Sequence, residues 1–519
     1  MPKLDKKRAE EANRMWASAS FVGVLIIIGL PLWWKTTEVY RVALPYDEIN
    51  AFDTDSHFIT TELVVLANDE KTAAKIAEDI AKAFEQTDII KLKIRHQKLS
   101  DNLHQTLDMV ADEQEALEEV AAAVDVTKHN TFHVVQRRHL FQDVWIGGDR
   151  VAFFRDLKAS STLIRALSSW VLQPLLLEGA RSLAADDARR VRLPSEQHLD
   201  LLMTVVHPRP QNMKVVFDAP AVLEDYIGSF VDELSYLHNF TLKSQWLHLT
   251  EFDFQAKQVL GPSGPEWWVS VDRLPLLLTQ LDGRGLGTIR LAAYILPCDV
   301  TPLVLHDRGS RIDAPVPAFM SPKWGGVVLL NPSREECSKG QYVVPVNMLM
   351  GTFISQLRKL LGITDKVPIP EAYLLPLDSV SPRHWELDSL LRLRTLEQVT
   401  SAQRSLKSLA KLLGEIPNIV ITDKVGGYIQ SAVEHAHEAR VYCELGSLVE
   451  AHENARSAND AAETAFTEPS LLALLYFPDD QKYAIYIPLF LPIMFPVILS
   501  LKNLILWFKG KPVVKEKTD

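Results

Sequence analysis

The chain has 519 residues, 47% of them hydrophobic, with 55 Lys and Arg against 66 Asp and Glu and a formal net charge of −11. That length leaves room for roughly two to four domains with a sizeable core, and the acidic balance lacks the basic footprint of a whole-chain nucleic-acid binder. A mean hydropathy of zero is too apolar for a disordered protein and too polar for a chain made mostly of membrane spans.

The apolar residues gather at the two ends. Residues 15–34 carry no charge and end in Pro31-Leu32-Trp33-Trp34. At ~1.5 Å per residue they make about 30 Å of helix, the thickness of a hydrocarbon core, with the tryptophans where an aromatic belt sits. A cleaved signal peptide needs a small-residue site after its apolar run. Here the run meets Lys35 instead, so 17–34 reads as an uncleaved signal anchor.

Between the ends, strand and helix patterns alternate. Residues 57–68 read as a strand rich in β-branched residues and 69–84 as a helix; 107–124 is acidic, Ala-rich and helical, with a solvated face. Segments 131–136 and 144–155 read as strands, the latter turning at Gly147-Gly148-Asp149. A long amphipathic helix is expected over 162–185, a strand pair at 199–207 and 214–218, a helix at 221–237, and further strands at 289–296, 327–331 and 342–346. No repeat of fixed period is visible. This interleaving predicts a mixed α/β (α+β) domain over 35–366. Residues 367–383 hold Pro368, Pro370, Pro376 and Pro382 and read as a linker. Beyond it, Leu390, Leu393, Leu396, Val399, Ala402, Leu406, Leu409 and Leu413 recur at helical spacing, so 384–482 reads as a helical stalk with breaks at Gly426-Gly427 and Gly446.

The second apolar run, 483–501, extends past Lys502 to Trp507 and Phe508, giving a second span over 483–508. Pro488, Pro492 and Pro496 are four apart and stack on one helix face. Each removes a backbone donor that lipid cannot replace, which points to a span packed against partner helices; a kinked, solitary anchor is the alternative. Lys3, Lys6, Lys7, Arg8 and Arg14 precede the first span, and Lys509, Lys511, Lys515 and Lys517 follow the second. Lys and Arg are sparser on the inner flanks. The tails 1–16 and 509–519 are therefore expected in the cytosol and 35–482 in the lumen. Arg8 and Arg14 either hold an anionic lipid headgroup or serve orientation alone. Lys515 and Lys517, third and fifth from the end, look like a dilysine retrieval signal of the endoplasmic reticulum; the alternative is an ordinary lysine-rich tail. Asn239-Phe240-Thr241 is an N-glycosylation sequon in the translocated part.

A search for chemistry finds no HExxH, GxSxG or P-loop. Gly283 to Gly287 reads as a flexible loop. His435 and His437, two apart on a helix, point to different faces and cannot share an ion. Asp479-Asp480 is either an acid/base dyad or a solvated turn beside the membrane. Three cysteines, Cys298, Cys337 and Cys443, allow at most one internal bridge, and a domain this size needs none. Cys298, after the apolar run 291–297, is the one nucleophile candidate, and a buried structural thiol is the reading preferred for it. The chain reads as non-catalytic, with no cofactor and no metal. A membrane-tethered lumenal hydrolase and a precursor-binding adaptor stay open as alternatives.

Several segments closely resemble the PIG-S family of glycosylphosphatidylinositol (GPI) transamidase subunits: LPLWWKTTEVYRVALPY (30–46), Ser321-Pro322-Lys323-Trp324-Gly325-Gly326, LKSLAKLLGEIPNIVITDKV (406–425) and LLALLYFPDDQKYAIYIPLFLP (471–492). Residues 50–190 resemble the family only loosely, in element order. The resemblance implies a non-catalytic structural subunit of an endoplasmic reticulum membrane complex. That complex cleaves a C-terminal signal and attaches a GPI anchor. It further implies a separate caspase-like catalytic subunit together with PIG-T, PIG-U and GPAA subunits as partners, membrane lipids around both spans, and glycosylation at Asn239.

Overall fold

The computed structural model describes the backbone of every residue except 1, 53–55, 183–191, 194–197, 262–263, 275–277, 279–286, 313, 323, 378, 417–418, 474–478 and 510–519. It describes the side chains of all of these except 2–8, 11, 36–37, 472–473, 479–483, 485–487, 489–490 and 493. The chain divides into a larger unit, Phe52–Gln403 with Glu434–Asp460, and a smaller one, Met1–Ala51 with Arg404–Val433 and Ala461–Asp519.

The larger unit begins with Ile59–Ala67 (β1), a β-branched and aliphatic run that is mostly buried. Asp69 then caps the helix Glu70–Phe84 by accepting from the Thr72 amide at 2.8 Å. Ala73, Ile76, Ala77, Ile80 and Phe84, at helical spacing, bury that helix's inner face. Ile90–Lys98 (β2) runs parallel to β1 on one side and Thr131–Gln136 (β3) on the other. Val144–Ile146 (β4) and Val151–Phe154 (β5) form the expected hairpin, with β5 parallel to β3.

The chain then repeats this wiring. His198–His207 (β6) leads past the short Lys214–Val216 (β7) and the helix Ala219–Glu233 to Asn239–His248 (β8), parallel to β6 at the sheet edge. After Lys257–Gly261 (β9) and Gly264–Ser270 (β10), Thr288–Ile295 (β11) pairs with the other side of β6. Leu303–Asp307 (β12) and Ser310–Arg311 (β13) follow. A hairpin of Ala318–Ser321 (β14) and Gly325–Leu330 (β15) then sets β15 parallel beside β11. The orders β2-β1-β3-β5-β4 and β8-β6-β11-β15-β14 are the same topology twice. The strands β9, β10, β12 and β13 form a separate four-stranded sheet, and Phe252, Val269, Leu303 and Leu305 join Tyr294 and Val327 in a core on that side. Gln341–Val343 (β16) pairs with β7, and Ala372–Leu374 (β17) extends the first sheet beside β4. A mixed α/β architecture is therefore present.

Several expected elements are cut differently. The helix at 107–124 is two, Asp101–Met109 and Glu113–Ala123. The Arg137 guanidinium donates to the carbonyls of Val110, Ala111 and Asp112 in the gap, replacing helical partners. The helix over 162–185 is broken as well. Ser160–Ala166 passes into a π-turn at Leu167–Leu172, Gln173 is left-handed at φ 50°, and Pro174 opens Pro174–Ser182. Proline at 174 has no amide to continue the ladder and disfavours helical backbone before it. Strands 199–207 and 214–218 do not pair with each other, because β7 turns away to join β16. Residues 367–383 contribute β17 as well as connecting. The first half of His384–Glu415 lies in the body of the larger unit, with Trp385, Leu390, Leu393 and Leu396 in its main core.

In the smaller unit, helix Pro2–Val24 continues through a π-turn at Leu25–Gly29 into Leu30–Thr37. Among the described residues, Ala12–Lys35 is the one helix long and apolar enough to cross a membrane; the apolar stretch Met494–Phe508 is shorter. It belongs to helix Asp479–Phe508, which lies along Pro2–Val24 and contains all three prolines. Phe21, Ile27, Leu32, Trp34, Phe495 and Ile498 are exposed on these helices. The backbone at Arg41 bridges Ile421, and the Tyr40 hydroxyl donates to Asp423 at 2.9 Å.

Candidate functional site

An amphipathic helix buries one stripe and wets the other. The first half of His384–Glu415 buries both. Glu386, Asp388, Arg392, Arg394, Gln398 and Gln403 are inside together with the leucines. Buried charge is tolerated only when paired and hydrogen-bonded, and the charged members each have a hydrogen-bond partner. Asp388 receives Nε and Nη2 of Arg150 at 2.7 and 2.9 Å and the Asn130 amide at 3.0 Å, and it lies 3.0 Å from His129 Nδ1. Burial alone would push this carboxyl up, but the hydrogen bonds from Arg150 and His129 outweigh it and hold it at about 2. Glu386 receives Arg358 at 2.9 and 3.0 Å and Arg383 at 3.1 Å. Burial brings the neighbouring Lys366 down to about 8.

The same helix reaches both α/β repeats. Trp385 Nε1 donates to the Gly147 carbonyl at 2.9 Å, and Arg392 donates to Val171 at 3.0 Å, in the first repeat. Arg394 donates to the Leu193 and Leu361 carbonyls at 3.1 and 3.0 Å, and Glu397 accepts from Arg192 at 2.5 Å, beside the second. Glu386, Asp388 and Glu397 each hold arginines that come from other elements, so the arrangement ties the two sheets together.

The residues singled out by the sequence are not brought together. Asn239 opens β8 at the free edge of the second sheet and is exposed, as is Thr241 two residues on, on the same strand face. Arg14 is exposed on the N-terminal helix, while the side chain of Arg8 lies outside the described residues. Pro488, Pro492 and Pro496 are exposed along one helix. Lys515 and Lys517 lie outside the described residues, as do the side chains of Asp479 and Asp480 and all of 283–286. His435 lies 2.9 Å from Asn454 Oδ1, whereas the His437 ring packs at a tilt against Phe52, on different helix faces as expected. Among the described residues no three His, Cys, Asp or Glu gather as a metal site.

The cysteines require a correction. Cys298 is not a buried free thiol: it is bridged to Cys337, because the loop after β11 and the helix Arg334–Lys339 bring their Cα atoms to 5.9 Å. Bridged, Cys298 has no thiolate with which to attack. Cys443 is the free one, and burial pushes its thiol up to about 12. Three cysteines in one sequence leave three pairings open, and only the fold selects among them.

The buried charges of 384–397 escape a reading by periodicity, since the leucine stripe accounts for the helix without them. The one available signal is density: Glu, Asp and Arg alternate with Leu through 386–394, leaving no purely polar face. A motif shared with the resembling family also finds its reason. At Gly325, φ is +148° and a Cβ would lie 1.8 Å from the Arg290 carbonyl oxygen; at Gly326 it would meet Gln356 at 1.9 Å. Only glycine lets β15 start this close to β11.

These features define a class: an α/β protein with a doubled parallel-sheet body, locked by a buried ionic helix and carrying an apolar N-terminal helix of membrane-spanning length. Comparison with known proteins narrows it. The PIG-S family, described as phosphatidylinositol-glycan biosynthesis class S protein, matches residues 20–511, and the chain belongs to this family. It is 31% identical to the GPI-anchor transamidase component PIGS of Bos taurus over 97% of each chain, and 30% identical to the Homo sapiens protein of that name over 98% of each. It is 24% identical to the GPI transamidase component PIG-S homolog of Schizosaccharomyces pombe, over 93% of this chain and 82% of that one.

Proposed function

We propose that this chain is a non-catalytic structural subunit of a GPI transamidase in the endoplasmic reticulum membrane. The observation that carries the reading is the match to relatives named as transamidase components over nearly the whole of both chains. The bridging of Cys298 and the deep burial of Cys443 support it, since both withdraw cysteines from nucleophilic work. In this reading 17–34 and 483–508 span the membrane, the tails 1–16 and 509–519 are cytosolic, and 35–482 is lumenal, with the proline-bearing span packed on partner helices. Asn239 carries a glycan, and the partners are a caspase-like catalytic subunit with PIG-T, PIG-U and GPAA subunits.

The test is affinity purification of the tagged chain from endoplasmic reticulum membranes in mild detergent, with mass spectrometry of what accompanies it. The expected result is a stoichiometric set containing a caspase-like cysteine protease and several multispan proteins. Recovery of the folded chain alone overturns the reading.

A further inference from the structure

Three segments around the first sheet converge on a cleft of about 380 Å³: the start of helix Glu113–Ala123, the loop between β3 and β4, and the end of β17. Each is held in place from within the protein. Arg137 donates to the carbonyls of Val110, Ala111 and Asp112, just ahead of the helix. The Asp143 and Val144 amides donate to the Glu371 carbonyl at 3.0 and 3.2 Å, and the Leu375 amide donates to that of Ile146 at 2.9 Å. A cleft tied in this way is formed before a partner arrives, which lowers the ordering cost of binding.

Leu140 and Trp145, each 6% exposed, belong to the core and make the inner walls. Phe141 and Tyr373, 94% and 40% exposed, make the outer ones. A single apolar side chain in water is ordinary, but aromatic rings gathered around an apolar cleft are what protein interfaces enrich. The polar wall is acidic. Asp112 and Glu113 line the cleft, and among the described residues no lysine, arginine or histidine does. Neither carboxylate is ion-paired with a described residue. Arg137 is buried and turns both Nη groups to backbone carbonyls instead. The helix adds Glu115, Glu118 and Glu119, all exposed, and carries no basic residue.

We propose that this cleft docks a segment of a partner protein that seats one aliphatic side chain against Leu140, Trp145 and the two exposed rings and sets a neighbouring Lys or Arg on Asp112 and Glu113. An anionic lipid headgroup or a nucleic acid meets charge of its own sign there. A small molecule in the cleft leaves the outer face of Phe141 in water, whereas a protein segment covers it. The partner is defined by this chemistry, independently of which complex the chain joins.

The test starts by placing p-benzoyl-phenylalanine at Gln114, an exposed residue of the cleft, irradiating intact cells and sequencing the crosslinked peptide by mass spectrometry. The same probe at Leu175, which is exposed and outside the cleft, is the control. The expected product is one discrete segment of another protein carrying Lys or Arg beside an aliphatic residue. That segment, synthesised with a fluorophore, should bind the full chain in detergent micelles in a fluorescence anisotropy titration. Replacing its Lys and Arg with Gln should weaken binding about tenfold. Phe141→Ser, and separately Asp112→Asn with Glu113→Gln, should each weaken it about fivefold while Leu175→Ser leaves it unchanged. The substituted side chains are at the surface, so the variants should keep the far-ultraviolet circular dichroism of the parent chain. A crosslink no stronger than the control, a captured segment without Lys or Arg, a lipid or a second copy of this chain in its place, or binding indifferent to the substitutions overturns the proposal.

Discussion

Asp388 shows at residue scale how the body holds together. It sits among Arg150, His129 and the Asn130 amide with almost no exposure. Asp388→Asn keeps the shape but leaves Arg150 without its countercharge inside the protein. Removing one partner of a buried pair costs about 3–5 kcal/mol, so the apparent thermal midpoint of the full chain should fall markedly, whereas an exposed pair such as Lys339–Glu335 should contribute well under 1 kcal/mol. Differential scanning calorimetry of Asp388→Asn beside Glu335→Gln checks this.

His452 is the second consequential residue. Burial first, then the charges of Arg456 and Arg394 with His238 alongside, brings its imidazole down to about 3. Its folded value lies below the unfolded one near 6.5, so its contribution to stability is complete above that pH and is lost as pH falls towards 3, at about 1.4 kcal/mol per pH unit. Asp388, held at about 2, adds a second loss only below the ordinary carboxylate range near 3.8. Denaturation midpoints measured from pH 8 to pH 4 should decline below about 6.5, and His452→Phe should flatten that decline. Asn239, exposed on an edge strand, predicts a simpler readout: peptide-N-glycosidase should shift the mobility of the chain from endoplasmic reticulum membranes, and Asn239→Gln should abolish the shift.

Elements were legible where periodicity and punctuation agreed. The strand β1, the helix after it and the β4–β5 hairpin all fall where β-branched runs, the Asp69 cap and Gly147-Gly148 place them. They were misread where a long-range contact overrode the local pattern. The helical content of 107–124 is real, but Arg137 arrives from elsewhere in the chain to satisfy the carbonyls of the break. The break at Pro174 was readable from proline alone. The three prolines of Asp479–Phe508 point along one exposed face. Replacing Pro492 and Pro496 with Leu should leave insertion intact, since leucine is both more apolar and more helical. It should weaken co-purification with multispan partners if those helices fill the notched face; unchanged co-purification counts against that packing.

At the scale of the molecule, the larger unit is two copies of one topology joined through a helix whose periodicity advertised only its leucines. The helix ties Gly147 and Val171 on one side and Arg358 and Leu361 on the other through hydrogen bonds that salt screens little, because they are buried. The two copies also diverged at the equivalent point between their central strands, one filled by Gln136 and the other left open beside His207.

By itself the sequence determined the apolar ends, part of the strands and helices between them, and the segments shared with the PIG-S family, because hydrophobic period, turn residues and runs of apolar length are local properties; strands such as β2 and β8, whose polar edge faces carry no such pattern, it did not show. Only the tertiary structure decided which strands pair, that the wiring repeats, that Cys298 meets Cys337, and that the charged face of residues 384–403 is buried. Pairing, bridging and burial join residues far apart in the chain, such as Asp388 with Arg150 and Cys298 with Cys337, and no spacing within either segment encodes where the other will lie.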